Sequence, residues 1–324
     1  MERKNIRKIV VMVILSILLL LTACQPGFKD IRLESGKIAF ISSRNEHLEL
    51  FMADHTGDSI KKILESDAQI IDMAISPDLR YVILEEAERI GNDLKDGGLY
   101  IYDLEQRKKR LIDDRGVFPS WSPNGDKFIY SKLTEDFKEL LILADPGLKK
   151  KEVLLENTKY YTPLGLSWSP DSTELLFIPY VSDYRKETID TLYRYLIAEN
   201  EYKEIKLDKP YNLYSVEWST VERVIAAGIY DPELAKNTIA LINPDNGEVR
   251  KLTTIENDFY KTLSLSPDGN YLVFSAFNRP ESTFEEPWPR GKINIEVYVY
   301  NIKNDQIRNI SNSPLTDYEA QWLH

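Results

Sequence analysis

The stretch Trp121-Ser122-Pro123-Asn124-Gly125-Asp126-Lys127-Phe128-Ile129-Tyr130-Ser131 decides the fold, because related stretches recur at a regular interval along the chain. Each relative joins a serine-containing turn to a short apolar run, and the relatives begin at Ile75, Trp168, Trp218 and Leu265. The serines of these turns, at positions 76, 122, 169, 219 and 266, are spaced by 46, 47, 50 and 47 residues. A repeat of roughly 40–50 residues is typical of propeller blades.

Each repeat is predicted to contain four strands, A to D. Strand A ends at the tryptophan or its substitute, and strand B is the apolar run that follows, such as residues 81–84. The quartet Ser-Pro-Asp-Gly between them favours a type I turn, with Ser first, Pro second and Gly fourth. Strand C is an alternating run such as 295–300, and a polar hairpin leads from it to strand D, such as 307–310.

The chain begins in the middle of a blade and ends with the strand that this blade lacks. Residues 37–42 resemble a strand B without a preceding Ser-Pro turn, and residues 318–322 resemble a strand A without a following one. The C-terminal strand is therefore predicted to complete the first blade, which removes two open sheet edges. The predicted fold is all-β, a six-bladed β-propeller of four-stranded antiparallel blades. The blades are predicted at 318–322 with 36–64, 70–112, 117–155, 163–207, 214–252 and 261–310.

Two sets of repeated residues are interpreted as structural. The tryptophans fall at one position of the repeat, where they are expected to pack between blades: Trp121, Trp168, Trp218 and Trp322. The polar residues of the quartet are expected to form the turns: Asp78, Asn124, Asp171 and Asp268.

The N-terminus carries the pattern of an export signal. Four basic residues precede an apolar run from Ile9 to Ala23, which is shorter than the roughly 20 residues of a membrane-spanning helix. The run ends in Leu21-Thr22-Ala23-Cys24, which resembles the lipobox of bacterial lipoproteins, and Cys24 is the only cysteine. We predict a signal peptide at 1–23, acylation of Cys24, a tether at 24–35 and the propeller at 36–324. Lipid chains on Cys24 would anchor the protein to the cell membrane on its extracytoplasmic side.

Charge and cysteine content narrow the set of partners. After removal of residues 1–23 the chain has 37 basic and 51 acidic residues, a net charge of −14. This balance argues against nucleic acid and against an anionic membrane surface as the ligand. The basic cluster Arg107-Lys108-Lys109-Arg110 is interpreted as a solvated hairpin tip.

A single cysteine permits no intrachain disulfide. We expect a monomer without cofactor or metal.

The connections of a propeller can be sorted by face. Loops A–B and C–D lie on one face and are short, whereas loops B–C and D–A lie on the other and carry nearly all the extra length. The predicted B–C insertions are 85–98, 132–138, 180–190, 229–236 and 277–292. Variable length on one face of a repeat scaffold is typical of a binding surface.

The B–C and D–A connections are rich in aromatic side chains and arginine, which are enriched at binding interfaces. They include Tyr160, Tyr161, Tyr180, Tyr184, Tyr211, Tyr230, Phe259, Tyr260, Phe284, Trp288, Arg185, Arg279 and Arg290. The candidate partner-binding residues are Arg44, Tyr180, Tyr184, Tyr230, Arg279 and Trp288. Arg44 and Arg279 stand at equivalent blade positions, where they would support loops or contact an anionic ligand.

Several motifs resemble those of the TolB-type six-bladed propeller. The aromatic-Ser-Pro-Asp-Gly repeat is joined by Leu252-Thr253 at the end of a strand and by Phe40-Ile41-Ser42-Ser43-Arg44 and 274–279, which are similar to the family's Phe-x-Ser-x-Arg. The resemblance covers about residues 36–322, and its motifs are specific for fold and weak for function. The family's α/β domain before the propeller has no counterpart in the tether.

The expected function is a non-catalytic binding or scaffolding role in the cell envelope. The partner would be an envelope protein, a peptide or a glycan seated on the B–C/D–A face. The alternative is a propeller-type hydrolase or lyase that acts on an envelope polysaccharide or peptide through residues at the central channel. Gly165-Leu166-Ser167-Trp168-Ser169 is the stretch nearest to a nucleophile elbow and lacks its last glycine. No two of His47, His55 and His324 have metal-ligand spacing.

Overall fold

A computed structural model describes residues 33–324 apart from 46, 65, 67, 91–92, 137, 158–160, 181–190, 220–221 and 279–293. Within these residues the strands form six four-stranded antiparallel sheets. The first blade contains, in sheet order, β24 (Asp317–Trp322), β1 (Ile38–Ser42), β2 (Glu49–Ala53) and β3 (Lys61–Leu64). The second contains β4 (Gln69–Ile75), β5 (Tyr81–Ile90), β6 (Asp93–Asp103) and β7 (Lys108–Asp113).

The remaining four blades follow in chain order. The third contains β8 (Gly116–Trp121), β9 (Phe128–Leu133), β10 (Glu139–Ala144) and β11 (Lys151–Asn157). The fourth contains β12 (Tyr161–Trp168), β13 (Glu174–Tyr180), β14 (Thr191–Leu196) and β15 (Glu201–Lys206). The fifth contains β16 (Asn212–Trp218), β17 (Ile225–Asp231), β18 (Lys236–Ile242) and β19 (Val249–Ile255). The sixth contains β20 (Asp258–Leu265), β21 (Tyr271–Asn278), β22 (Asn294–Asn301) and β23 (Gln306–Asn309).

The predicted closure of the ring is confirmed. β24 is antiparallel to β1, with Ile38 opposite Trp322 and Ser42 opposite Asp317. Two hydrogen bonds next to this pairing join the chain ends, because Gly36 N donates to Leu323 O (2.8 Å) and Leu323 N donates to Lys37 O (2.9 Å). The C-terminal strand therefore supplies strand A of the first blade, and the chain enters that blade at its A–B end.

The hydrophobic core lies between the blades rather than at one centre. Six clusters of buried side chains occupy the six junctions between neighbouring blades. β24 contributes to two of them, since Tyr318 packs in the cluster with the second blade and Trp322 in the cluster with the sixth. Removing a single strand from this arrangement exposes two clusters at once.

The A–B turns have the predicted turn chemistry. In the third blade Gly125 N donates to Ser122 O (2.9 Å), which closes the turn, and Ser122 Oγ donates to Asn124 Oδ1 (2.8 Å). In three other turns the serine Oγ likewise donates to the Oδ1 of the aspartate two residues later: Ser76 to Asp78 (2.5 Å), Ser169 to Asp171 (2.6 Å) and Ser266 to Asp268 (2.6 Å). These hydrogen bonds hold the pKa of the Asp171 and Asp268 carboxyls below their usual value. The polar residues of the quartet are turn formers, as predicted.

Two of the predicted insertions are largely strand. Residues 229–236 fall partly in β17 and β18, which leaves a turn of four residues between the two strands. Residues 85–98 were expected to form a B–C loop, but β5 continues to Ile90 and pairs with β6 as far as Asp93. The loop was predicted because the pair Gly97-Gly98 is typical of loops, but here the two glycines permit a β-bulge within the paired strands. A Cβ on Gly98, whose φ is 107°, would lie 2.9 Å from Asp113 O. β4 pairs with β5 only up to Ala87, so the last residues of the hairpin form a two-stranded arm.

Candidate functional site

The six A strands (β4, β8, β12, β16, β20 and β24) line a central cavity of about 620 Å³. Near the A–B turns its wall is made by Pro77, Pro123, Pro170 and His324. Pro170 is exposed, so the cavity reaches the surface between these turns. Further along the axis the wall includes Tyr214, which is 38% exposed. The enzyme alternative placed its chemistry at the central channel, but the residues that line this cavity were not predicted.

The A strands owe their shape to β-bulges. The pairing of every A strand with its neighbour shifts register, twice in β12. In β8 and β24 the residue three places before the tryptophan has a positive φ, 53° for Phe118 and 51° for Glu319. Bulges re-aim side chains and increase local twist. Both residues line the cavity.

A belt of hydrogen bonds around the channel joins each blade to the next. Every A strand ends at the tryptophan position, occupied in order by Trp322, Ile75, Trp121, Trp168, Trp218 and Leu265. At four junctions the residue just before the tryptophan position uses its side chain to accept a hydrogen bond from the backbone N–H at the tryptophan position of the next blade. These bonds are Ser167 Oγ from Trp218 N (3.1 Å), Glu217 Oε2 from Leu265 N (2.5 Å), Ser264 Oγ from Trp322 N (3.2 Å) and Gln321 Oε1 from Ile75 N (3.3 Å).

The other two junctions use the tryptophan side chain instead. Trp121 Nε1 donates to Ala74 O (3.1 Å), and Trp168 Nε1 donates to Ser120 O (3.2 Å). These contacts confirm the prediction that the tryptophans pack between blades. The belt could have been sought by aligning the residues that precede the tryptophan position in the six repeats.

The cavity is acidic. Asp72, Glu217 and Glu319 contribute to its wall, and no Lys or Arg among the described residues does. Burial raises the pKa of Glu217 to about 8, and the hydrogen bonds from Leu265 N and Ser264 oppose this rise only in part. Burial also lowers the pKa of His324 at the mouth. At neutral pH Glu217 is therefore mostly uncharged, and Asp72 and Glu319 are the acidic residues that would favour a cationic or hydrogen-bond-donating group over an anion. No three His, Cys, Asp or Glu residues of the described part of the chain are grouped so that they could hold a metal ion.

Arg44 lies in the B–C connection of the first blade and contacts its own blade. Its Nε donates to Ser42 Oγ (2.8 Å) and its guanidinium reaches Asp317 Oδ1 (3.2 Å). The guanidinium also lies over the rings of Phe40 and Phe51, 5.4 and 5.1 Å from their centroids. Burial raises the pKa of Asp317, which Ser42 and Arg44 counteract. Arg44 thus joins its loop to the closing strand.

The other predicted partner-binding residues are placed as follows. Tyr230 is half-buried in β17 of the fifth blade, opposite Asn212 in β16, and blade 6 separates it from Arg44. Tyr180 is the last residue of β13, opposite Tyr161. Tyr184, Arg279, Trp288 and the predicted acylation site Cys24 lie outside the described residues.

Two aromatic residues expected on the B–C/D–A face are buried instead. Tyr211 is 2% exposed and packs in the cluster between the fourth and fifth blades. Phe259 is 6% exposed inside β20, where a Cβ on Gly228 would lie 3.0 Å from its ring. The glycine in the neighbouring blade leaves room for that ring. Tyr211 and Phe259 therefore offer little surface to a partner.

The fold is shared with known propellers. TolB from Acinetobacter baumannii matches with a TM-score of 0.64 at 17% identity, over 89% of this chain and 66% of that chain. Putative TolB from Agrobacterium tumefaciens matches with a TM-score of 0.58 at 15% identity, over 85% and 87%. An oligogalacturonate lyase in complex with manganese matches with a TM-score of 0.56 at 14% identity, over 84% and 73%. No protein-family model and no curated protein matches the sequence.

The ring of six blades around a channel defines the chain as a six-bladed β-propeller. Within that class, its fold is TolB-like. At these identities the likeness concerns the fold. Among the described residues, no helix has the length and apolar character needed to cross a bilayer.

Proposed function

We propose that the chain is a lipid-anchored, extracytoplasmic protein of the cell envelope that binds a partner without catalysis. The observation that carries this proposal is the distribution of chain length between the two faces. The A–B connections between the described strands are turns of five or six residues, whereas ten residues separate β13 from β14 and fifteen separate β21 from β22. Both long connections join strand B to strand C. The other four B–C connections have two to six residues and the D–A connections two to seven, so the D–A connections do not carry the extra length expected of them. The β5–β6 arm extends from the same face.

The partner is proposed to be an envelope protein, a peptide or a glycan. Tyr180, Tyr184, Tyr230, Arg279 and Trp288 belong to the B–C connections or to the strand ends beside them. Tyrosine, tryptophan and arginine supply most of the binding energy at many protein interfaces, and flat aromatic faces also suit sugar rings. Cys24 is assigned the acylation that holds the protein at the membrane.

Replacing two aromatic residues of these connections tests the binding proposal. We expect Tyr184→Ala with Trp288→Ala to lower the yield of partner crosslinked to the anchored protein in intact cells by roughly tenfold or more, since each buried aromatic anchor contributes about 2 kcal/mol. The melting temperature should change by less than about 2 °C. The matched control is Tyr202→Ala, which removes a 45% exposed ring from an outer strand and should leave capture unchanged.

Capture that is unaltered in the double variant would remove this face as the binding surface. The anchor is tested separately with Cys24→Ala, which should abolish incorporation of labelled fatty acid and release the protein from the membrane fraction. Fatty acid that is still incorporated would rule out Cys24 as the acylation site.

A further inference from the structure

The position where the chain enters the ring restricts which face can be turned toward the membrane. β1 is a strand B, so the chain enters at the A–B/C–D face, where Gly36 is hydrogen-bonded to Leu323. Eight residues lie between Cys24 and Leu33, the first described residue, and the nine Cα-to-Cα steps of a fully extended chain span at most about 32 Å. An A strand of six to eight residues already spans about 20–26 Å. A membrane at the opposite face would require a nearly fully extended tether.

The same face carries a cluster of basic residues that only the fold brings together. We define the basic corner as residues 104–110 and 145–151, the C–D connections of the second and third blades with the adjoining strand residues. Arg110 joins them by donating to Pro146 O (2.7 Å) and Gly147 O (3.1 Å), and Lys151 Nζ donates to Ile112 O (2.5 Å). The corner contains seven basic and two acidic residues.

Most of these basic residues are exposed, although the ammonium of Lys151 is turned toward Ile112 O. Arg107, Lys108, Lys149, Lys150 and Lys151 are exposed. Lys109 differs from its neighbours, since its ammonium contacts the buried Glu86 and lies 4.1 Å from the ring centroid of Tyr100. The interpretation of residues 107–110 as a solvated hairpin tip therefore does not hold for Lys109, nor for Arg110, which contacts the next blade.

The two acids of the corner also make contacts outside its basic side chains. Glu105 lies 3.3 Å from Arg80, and Asp145 accepts hydrogen bonds from Lys150 N (2.5 Å) and Gly147 N (3.1 Å) within its own turn. Just beyond the cations, Leu111 and Val153 are 51% and 52% exposed on the two outer strands. Basic residues beside exposed apolar ones are typical of surfaces that lie on anionic membranes.

We propose that the basic corner rests on the anionic lipid head groups of the membrane that holds the anchor. This inference rests on the proposed acylation of Cys24. The corner lies on the face where the tether enters and begins in the blade next to the first, so the tether brings it to the lipid surface. The net charge of the whole chain is negative, but the repulsion between its distant acidic residues and the lipid head groups is screened beyond about 8–10 Å. The corner therefore contacts the membrane locally, tilts the ring, and turns the B–C/D–A face away from it.

Fluorescent labels on the two faces test this orientation. Because Cys24 is the only cysteine, a cysteine introduced into the acylated protein is its only free thiol. Gln106→Cys places the label in the basic corner, and Asp114→Cys places it in the D–A connection between the same two blades. Each full-length, acylated protein is reconstituted into vesicles of phosphatidylglycerol with phosphatidylcholine, or of phosphatidylcholine alone, with a quencher on the lipid head groups.

We expect the label at Gln106 to be quenched at least about threefold more than the label at Asp114 in the anionic vesicles. Lys108→Glu with Lys149→Glu should abolish this difference, as should 1 M salt, which shortens the screening length to about 3 Å. The matched control is Lys209→Glu with Lys236→Glu, which changes the net charge equally on the other face and should leave the difference intact.

Flotation of the protein with the vesicles separates the two proposals. Protein that floats but shows equal quenching at the two positions, or quenching unaffected by the charge reversal, overturns the orientation and leaves the anchor in place. Protein that does not float overturns the anchor and the orientation together.

Discussion

Ending the chain after Thr316 is expected to leave the protein without a folded state. The truncation removes β24, the strand that pairs with β1 and completes the first blade. It also removes Tyr318, Trp322 and Leu323, which belong to the core clusters on both sides of that blade. Asp317, the partner of Arg44, is lost with them.

The size of these losses decides the outcome. Deleting one large buried side chain costs about 3–5 kcal/mol, and the stability of a whole domain is about 5–15 kcal/mol. Trp322 and Tyr318 are 3% and 6% exposed, so the loss of the two rings alone approaches the total. The edge of β1 that paired with β24 would also be exposed to water, as would the side chains of β20 that packed against β24.

Circular dichroism with thermal melting checks this expectation, and the control is deletion of His324 alone. The control keeps both hydrogen bonds of Leu323 and should unfold cooperatively, as the full chain does. The longer truncation should show no cooperative transition. A cooperative transition near the full chain's melting temperature would mean that the ring does not depend on its last strand.

Glu217→Gln is expected to stabilise the protein, and the gain should grow with pH. Burial raises the pKa of Glu217 from 4.5 to about 8, so the folded state binds this proton more tightly than the unfolded state does. Stability is therefore lost as pH rises from about 4.5 through 8. The difference reaches up to about 3 kcal/mol at pH 7 and about 5 kcal/mol at pH 9, at 1.36 kcal/mol per pKa unit.

The glutamine keeps the contact that Glu217 makes in the belt. Its amide oxygen can accept from Leu265 N as the carboxyl does, and the amide is neutral at every pH. Below pH 4.5 both side chains are neutral, so the two proteins should be equally stable there.

Denaturant unfolding at pH 4, 7 and 9 measures this effect. The control variant is Glu217→Ala, which removes the acceptor for Leu265 N and should be less stable than Glu217→Gln at all three pH values by about 1–3 kcal/mol. A glutamine variant whose gain is the same at pH 4 and pH 9 would show that the charge on Glu217 is not what limits stability.

The repeat made the ring predictable from the sequence. Serine-containing turns at intervals of 46 to 50 residues indicated the blades, and the unmatched strands at the two ends of the chain indicated the closure. The signal is strong because a turn residue such as Asp78 acts through its own local backbone and serine. Local chemistry of this kind can be deduced without knowledge of the rest of the fold.

The errors fell where contacts between distant segments decide the structure. Gly97-Gly98 had the composition of a loop, yet the close approach of Asp113 O turns it into a bulge between paired strands. Phe259 was expected on a rim, but Gly228 in the preceding blade makes room for its ring. In both cases the deciding neighbour lies in another strand.

The acidic channel could be foreseen only in part. Aligned repeats would have shown Glu217 where Ser167 and Ser264 stand, at the residue before the tryptophan position. They would not have shown its raised pKa, which depends on how the neighbouring blades exclude water. The basic corner likewise depends on the contact between Arg110 and Pro146, two residues of different blades.

The formation of a disulfide between the two ends of the chain tests the closed ring most directly. Ala39 and Gln321 are opposite each other in β1 and β24, and residues so placed have Cα atoms about 4.5–5.5 Å apart, within the range of about 4.4–6.8 Å that disulfides span. With Cys24→Ser, we expect Ala39→Cys with Gln321→Cys to form a bridge in the folded protein, seen as a mobility shift on a non-reducing gel. Ala39→Cys with Ser167→Cys, the equivalent position in the fourth blade, should form none. A folded protein that bridges neither pair, or both equally, would contradict the closure.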